Sequence, residues 1–147
     1  MTPTLEARGI VLRPLKAADA PTLFAAHSDS HTHKYWSGPA HTSVAQTAAY
    51  VEDTLAMAGA RSWAITESGG EALGRISLFA VRDGVGEIGI IMRPDATGRG
   101  LASKALKLVK EFAFADLGLH RLAADVDPEN SASLSLFLRA GLQREGV

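Results

Sequence analysis

The sequence predicts a mixed α/β domain, and three observations carry that prediction. Short β-branched or alternating runs crowd the middle of the chain, and one strongly amphipathic helical stretch follows them. The order strand, helix, strand, helix in the second half then requires a parallel pair somewhere in the sheet. The chain has 147 residues, 46% of them hydrophobic and 21% charged, an ordinary globular balance that supports one core and a single domain over residues 1–147.

Taken in order, Ile10-Val11-Leu12 between Gly9 and Pro14 is the first strand. Asp19 opens a helical pattern with Leu23 and Phe24 that fades near His27. The polar stretch from Ser28 to Pro39, punctuated by Gly38-Pro39, reads as a loop carrying Tyr35 and Trp36. A second helix runs from about Ser43 to Met57, with Val44, Thr47, Ala48, Val51 and Leu55 at helical spacing, and stops before Gly59. Trp63, expected in the core, and Ile65 alternate with polar neighbours. Ser68-Gly69-Gly70 signals a hairpin, and Leu73 to Val81 continues as strand with Ile76, Leu78 and Ala80 on one face. Asp83-Gly84 makes the next turn, and the run Glu87 to Met92 is apolar on both faces apart from Glu87, as in a central strand. From Leu101 the period becomes helical: Leu101, Ala105, Leu108, Val109 and Phe112 form one stripe, with Lys104, Lys107, Lys110 and Glu111 off it. Gly118 ends that helix; Leu122, Ala124 and Val126 alternate as a strand; Asp127 to Ser131 turns into a last helix carrying Leu134, Phe137 and Leu138.

Composition excludes several function classes. Without cysteine there is no disulfide framework, thiolate zinc site or cysteine nucleophile. With 15 Lys plus Arg against 16 Asp plus Glu, the net charge of −1 removes the global electrostatic argument for a nucleic-acid partner. The N-terminus has no basic region leading into an apolar run, and nothing approaches ~18 consecutive apolar residues, so no membrane partner is expected and the protein reads as cytoplasmic. His31, His33 and His41 invite a metal, but without an accompanying Asp, Glu or Cys set they make a poor ligand pattern, and no metal is expected.

The chemistry lies between the central strand and the best helix, in Arg93-Pro94-Asp95-Ala96-Thr97-Gly98-Arg99-Gly100-Leu101-Ala102-Ser103. Glycines permit a tight turn, and the unpaired amides at a helix start, at the positive end of its dipole, suit a phosphate; Arg93 and Arg99 add cationic donors. A strand-to-helix turn with no ligand would use the same glycines. A nucleoside-triphosphatase loop is excluded, because no Gly-Lys-Ser/Thr triplet exists. A dinucleotide fold would set its glycines directly after a strand with an acidic residue further on; Asp125 could serve, but Pro94 to Thr97 intervene.

A third phosphate-binding class matches far more of the chain. Thr97-Gly98-Arg99-Gly100-Leu101-Ala102 is similar to the acetyl-CoA loop of the GCN5-related N-acetyltransferase (GNAT) superfamily, which reads Arg or Gln, two residues, Gly, one residue, then Gly or Ala. The chain resembles the ribosomal-protein-alanine (Rim-type) branch in several further segments. They are Arg8 to Leu15, Glu87-Ile88-Gly89 with Pro94, Leu117 to Leu122, Asp127 to Ser133, and Arg139 to Gly146.

The resemblance implies a mixed, mostly antiparallel sheet with a central splayed parallel pair, flanked by helices and lacking the final strand, since Gln143 to Val147 stands where relatives enter theirs. It implies acetyl-CoA as co-substrate, an amine acceptor (a peptide N-terminus or a small molecule) and direct attack of the amine on the thioester. The pantetheine arm would lie against the backbone of Ile91 and Met92, beside a bulge whose amide near Ile91 holds the oxyanion. The pyrophosphate would rest on the amides from Gly98 to Ser103, with Arg93, Arg99, Leu101 and Ala102 in the same cofactor-binding set. Asn130 and Ser133 match positions that line the pantetheine and thioester end, with Asn130 and Phe137 in the cofactor-binding set, although Asn130 also suits a helix cap. Glu87 is the candidate base for the ammonium proton. Many relatives protonate the thiolate with a tyrosine where this chain has Phe137, so Ser133 is the substitute. His31, Tyr35 and Trp36 are candidates for acceptor contact. Thr97 departs from the loop pattern and Lys104 from the branch, which keeps open a non-catalytic acyl-CoA sensor on the same fold. A homodimer is also an expectation taken from relatives.

Overall fold

The computed structural model describes residues 2–30, 39–126, 129–143 and 145. Its strands, β1 (Leu5–Ala7), β2 (Ile10–Pro14), β3 (Arg61–Thr66), β4 (Gly74–Arg82), β5 (Val85–Met92) and β6 (Arg121–Ala123), form one six-stranded sheet in sequence order. All neighbours are antiparallel except β5 and β6, which is the mixed sheet with one parallel pair that the sequence implied. The pair sits at the β6 end of the described sheet. Helices α1 (Ala20–His27) and α2 (Val44–Ala56) pack on one face through Leu23, Val51 and Ala64, while α3 (Leu101–Glu111) and α4 (Ser131–Arg139) join the larger core of the other.

That larger core links Ile10, Leu12, Ile65, Ile76, Leu78, Ile88 and Met92 to Leu101, Ala105, Leu106, Val109, Phe112 and Phe137. Each Ile, Leu, Val, Met or Phe among them contributes about 1.5–3 kcal/mol on burial. Trp63 is fully buried as expected, edge-on to Phe112 with ring centroids 5.7 Å apart, and its indole N–H donates to the Pro3 carbonyl at 2.6 Å. On the opposite face Asp19 is buried at the start of α1; it accepts from the Arg13 guanidinium at 2.7 and 3.0 Å and from the Lys16 amide at 2.9 Å.

Two joints position the gap beside β5. The Asp83-Gly84 turn between β4 and β5 has φ of +53° and +80°, the left-handed pair a two-residue hairpin demands. A side chain on Gly84 would run into the His120 ring, whose backbone N–H donates to the Gly84 carbonyl at 2.8 Å, so this turn also sets where β6 begins. The parallel ladder pairs Val85, Gly86 and Glu87 with Arg121, Leu122 and Ala123 and then stops, whereas β5 runs on to Met92 paired with β4 alone.

Several expectations are corrected. The bulge lies in β4, not in β5 near Ile91. From Glu87 to Met92 β5 pairs regularly, while β4 carries an extra residue between Phe79 and Arg82 where Ala80 takes φ +51°. Ala80 is consequently exposed and leaves the face of Ile76 and Leu78. The neighbours of Trp63 are not solvent-facing: Ser62, Ala64 and Thr66 are all buried, because α1 and α2 cover that side. In α2 the buried stripe is Thr47, Val51 and Thr54, with Val44 and Leu55 flanking it in solvent. Leu138 is likewise exposed. Strand β1, too short and too poor in β-branched residues to read from sequence, pairs with β2 through the Arg8-Gly9 turn. Gly118 does end the third helix, after a π-helical turn over Phe112–Asp116.

Candidate active site

A cleft of about 1370 Å³ opens where β5 and β6 part. Its lining comes from both faces of the sheet. Tyr50 and Thr54 of α2 and Ser62, Arg75 and Ser77 of β3 and β4 form one wall; Ile88, Leu134 and Phe137 form the other, with Ala123 to Val126 along the side. Glu87 reaches this cleft from β5, half-buried and directly across from Phe79 of β4. Phe137 reaches it from α4, 7% exposed within the core. These are the sequence-predicted residues that the cleft brings together. Ser77 pairs with Gly89, and the absence of a side chain there leaves room on the face between Ser77 and Glu87.

Ile91 and Met92 lie further along β5, both buried, on the stretch without a β6 partner. The loop Gly98–Ser103 lies beyond them, outside the lining of the cleft. Gly98 and Gly100 take φ of +79° and +75°, and Gly100 caps the start of α3. A Cβ at either would meet nothing within 4 Å, so conformation and not space demands glycine here. Among the described residues, the amides from Gly98 to Ser103 donate to no carbonyl, as the first turn of a helix leaves them. Leu101 is buried in the core, Ala102 half-buried and Ser103 exposed.

The two arginines of the loop have carboxylate partners. Arg93 donates to Asp95 at 2.7 and 3.0 Å and faces Glu71 at 3.5 Å, which raises the pKa of Arg93 and lowers that of Asp95. Arg99 pairs with Glu67 at 2.8 Å and donates to the Asp95 carbonyl at 3.0 Å. Lys104 points to the Arg8 carbonyl at 3.4 Å. In α4, the Asn130 side chain accepts from the Ser133 amide at 3.2 Å, the geometry of a helix cap, and Ser133 is half-buried in the first turn. His31, Tyr35 and Trp36 lie outside the described residues. His41 accepts or donates at 2.8 Å to Thr47 through Nδ1 and stacks on His27 with centroids 4.9 Å apart; burial lowers its pKa. Among the described residues no group of three or more His, Cys, Asp and Glu could hold a metal, and no helix is long and apolar enough to cross a membrane.

Arg75 was not anticipated. It is 3% exposed; Nη2 donates to Thr54 Oγ1 at 3.0 Å and to Ser77 Oγ at 3.4 Å, and the guanidinium lies 5.1 Å from the centre of the Tyr50 ring. Burial lowers its pKa. The available signal was Arg75 and Ser77 interleaved with Ile76 and Leu78, but alternation alone assigns such residues to solvent unless the covering helix is known.

Comparison with known proteins bears on this arrangement. The family model described as "Acetyltransferase (GNAT) domain" matches residues 10–143. An uncharacterized N-acetyltransferase, YoaA, of Bacillus subtilis is 31% identical over all of this chain and 86% of its own. Spermidine N(1)-acetyltransferase of Escherichia coli is 25% identical over 95% of this chain and 76% of its own. The crystal structure of a GNAT-family acetyltransferase from Bacillus anthracis superposes with a TM-score of 0.88 at 25% identity, covering 98% of this chain and 86% of that one. A splayed β5–β6 pair, a glycine-turned helix start and a match over nearly the whole chain place the protein in the GNAT family, as an acetyl-CoA-dependent N-acetyltransferase.

Proposed function

We propose that the protein transfers the acetyl group of acetyl-CoA to the primary amine of a small molecule, by direct attack across the gap between β5 and β6. The observation that carries this reading is the end of the parallel ladder at Glu87 and Ala123 while β5 continues to Met92. That end leaves strand-edge polar groups of Ile88–Met92 beside a cleft in which Glu87 stands. Buried backbone groups need partners, and an extended ligand arm in the gap supplies them. The unpaired amides from Gly98 to Ser103 suit a pyrophosphate, with Arg99 and Arg93 able to exchange their carboxylate partners for phosphate. Acetyl-CoA, held this way, supplies an activated acyl group.

The remaining chemistry belongs to the chain. Glu87 takes a proton from the incoming ammonium and frees the nitrogen lone pair; the C–N bond forms, the C–S bond breaks, and Ser133 gives its hydroxyl proton to the departing sulfur as it takes up the second proton released by the nitrogen, leaving a neutral amide, a thiol and a neutral serine. Amides on the free edge of β5 hold the developing oxyanion. Phe137 has no proton to give and serves as an apolar wall, with Asn130 fixing the α4 turn that carries Ser133. The spermidine acetyltransferase relative supports a small-molecule acceptor, and the Rim-type resemblance supports a peptide α-amine as the alternative.

Thiol release from acetyl-CoA over a panel of small amines and peptides, beside calorimetric titration with acetyl-CoA and NAD, tests the reading. Amine-dependent thiol release with acetyl-CoA binding is expected. Tight acetyl-CoA binding without turnover of any amine would make the protein an acyl-CoA sensor, and NAD binding that CoA does not displace would overturn the reading of the loop as an acetyl-CoA site.

A further inference from the structure

We propose that Arg75 forms a carboxylate socket in the acceptor half of the cleft, so that the amine acetylated here carries a carboxylate within a few bonds of its nitrogen, as a free amino acid does. The inference rests on the acetyl-transfer reading of the same cleft. Its carrying observation is an incomplete partner set: Nη1 of Arg75 is buried without a hydrogen-bond partner, and no ion pair among the described residues involves this guanidinium. The Thr54 and Ser77 hydroxyls and the Tyr50 ring hold the group in place without neutralising it.

Arg13, on the same face of the sheet, is an internal comparison. The fold meets that guanidinium with the buried carboxylate of Asp19 and the carbonyls of Gly69 and Gly70. At Arg75 the described residues provide no such anion, and the guanidinium lines a cleft. A guanidinium is a planar fork of N–H donors that fits a carboxylate through paired bonds, and a buried charge is stabilised when such an anion arrives.

Geometry sets the size of the ligand. The guanidinium donates to Ser77 Oγ at 3.4 Å, and the Ser77–Gly89 pair is followed two residues along both strands by Phe79 opposite Glu87. That step is about 7 Å on the same face. A carboxylate on Arg75 and an ammonium at Glu87 therefore belong to one compact molecule lying over Gly89. A polyamine in this orientation would set its second ammonium against the guanidinium, a like-charge contact that rejects it.

The experiment compares each of several amino acids with its own carboxamide, with spermidine and with a short peptide, using thiol release by the full chain. The expected result is a preference for the free acid over the carboxamide of roughly 10- to 100-fold in kcat/KM. Arg75→Gln should bring that ratio close to one, and Arg75→Lys should recover part of it as a point charge without the fork. A direct arm guards against a variant that fails to fold: with CoA bound, the free acid should raise the melting temperature of the wild-type protein and the carboxamide should not. Spermidine or peptide turning over faster than every acid, or an acid-to-carboxamide ratio near one in the wild type, overturns the socket and leaves acetyl transfer intact. If no amine is acetylated, acetyl transfer fails, and the melting arm decides the socket alone: stabilisation by the acid only upholds it, and equal or absent stabilisation overturns it.

Discussion

The cleft and the glycine-turned helix start beyond it are built on different principles. Toward α3 the features that suit acetyl-CoA are backbone: amides at a helix start, two left-handed glycines and the unpaired edge of β5. Toward α2 the features that suit an acceptor are side chains from distant segments, Tyr50 and Thr54 meeting Arg75, Ser77 and Glu87. A backbone site is compact in sequence and tolerates most side chains; a side-chain site changes with single substitutions. On the proposed function the donor half serves a shared co-substrate and the acceptor half sets what is acetylated.

Breaking each half should give separable effects. Glu87→Gln, which keeps shape and removes the base, should lower kcat/KM by about 100- to 1000-fold in the thiol-release assay while the acetyl-CoA dissociation constant stays within about twofold. Equal turnover would remove Glu87 from the mechanism. Gly84→Ala tests the joint that sets β6 beside β5. A strained φ and the collision with His120 should destabilise the fold by about 2–4 kcal/mol in urea melts.

Gly100→Ala is milder and belongs to the donor half alone. Its Cβ meets open space, so the left-handed φ of +75° is the whole penalty, about 1 kcal/mol. Calorimetry should find acetyl-CoA binding weakened by roughly five- to tenfold, with the acid-to-carboxamide ratio unchanged. The smallest expected effect is on the acceptor side, where the His41 ring lies tilted to that of Tyr50 with centroids 5.6 Å apart. Burial lowers the His41 pKa from 6.5, so the folded protein resists protonating it. Its contribution to stability is whole above pH 6.5 and is lost as the pH falls below that value, and His41→Gln should flatten this part of the melting profile between pH 7.5 and 5.

The same contrast explains what the sequence disclosed. Gly98-Arg99-Gly100 and the stripe from Leu101 to Phe112 are local patterns, so the helix, its loop and the mixed sheet were legible, as was Glu87 as the one acid on an apolar strand. Arg75 was not, because its burial depends on Thr54, distant in sequence, and on α2 lying across β4. The β4 bulge escaped for a related reason: Ala80 at φ +51° carries none of the glycine signal that marks such a conformation. Polar residues that line a cleft and polar residues that face water share one alternation, and only the tertiary fold separates them.

Amide hydrogen exchange of the wild-type protein, read with acetyl-CoA and then with the preferred amine added, tests the division most directly. Acetyl-CoA should protect the amides of Ile88–Met92 and Gly98–Ser103, and the amine should add protection around Tyr50–Thr54 and Arg75–Ser77. Protection of α2 and β4 by acetyl-CoA, with the Gly98–Ser103 amides unchanged, would contradict it.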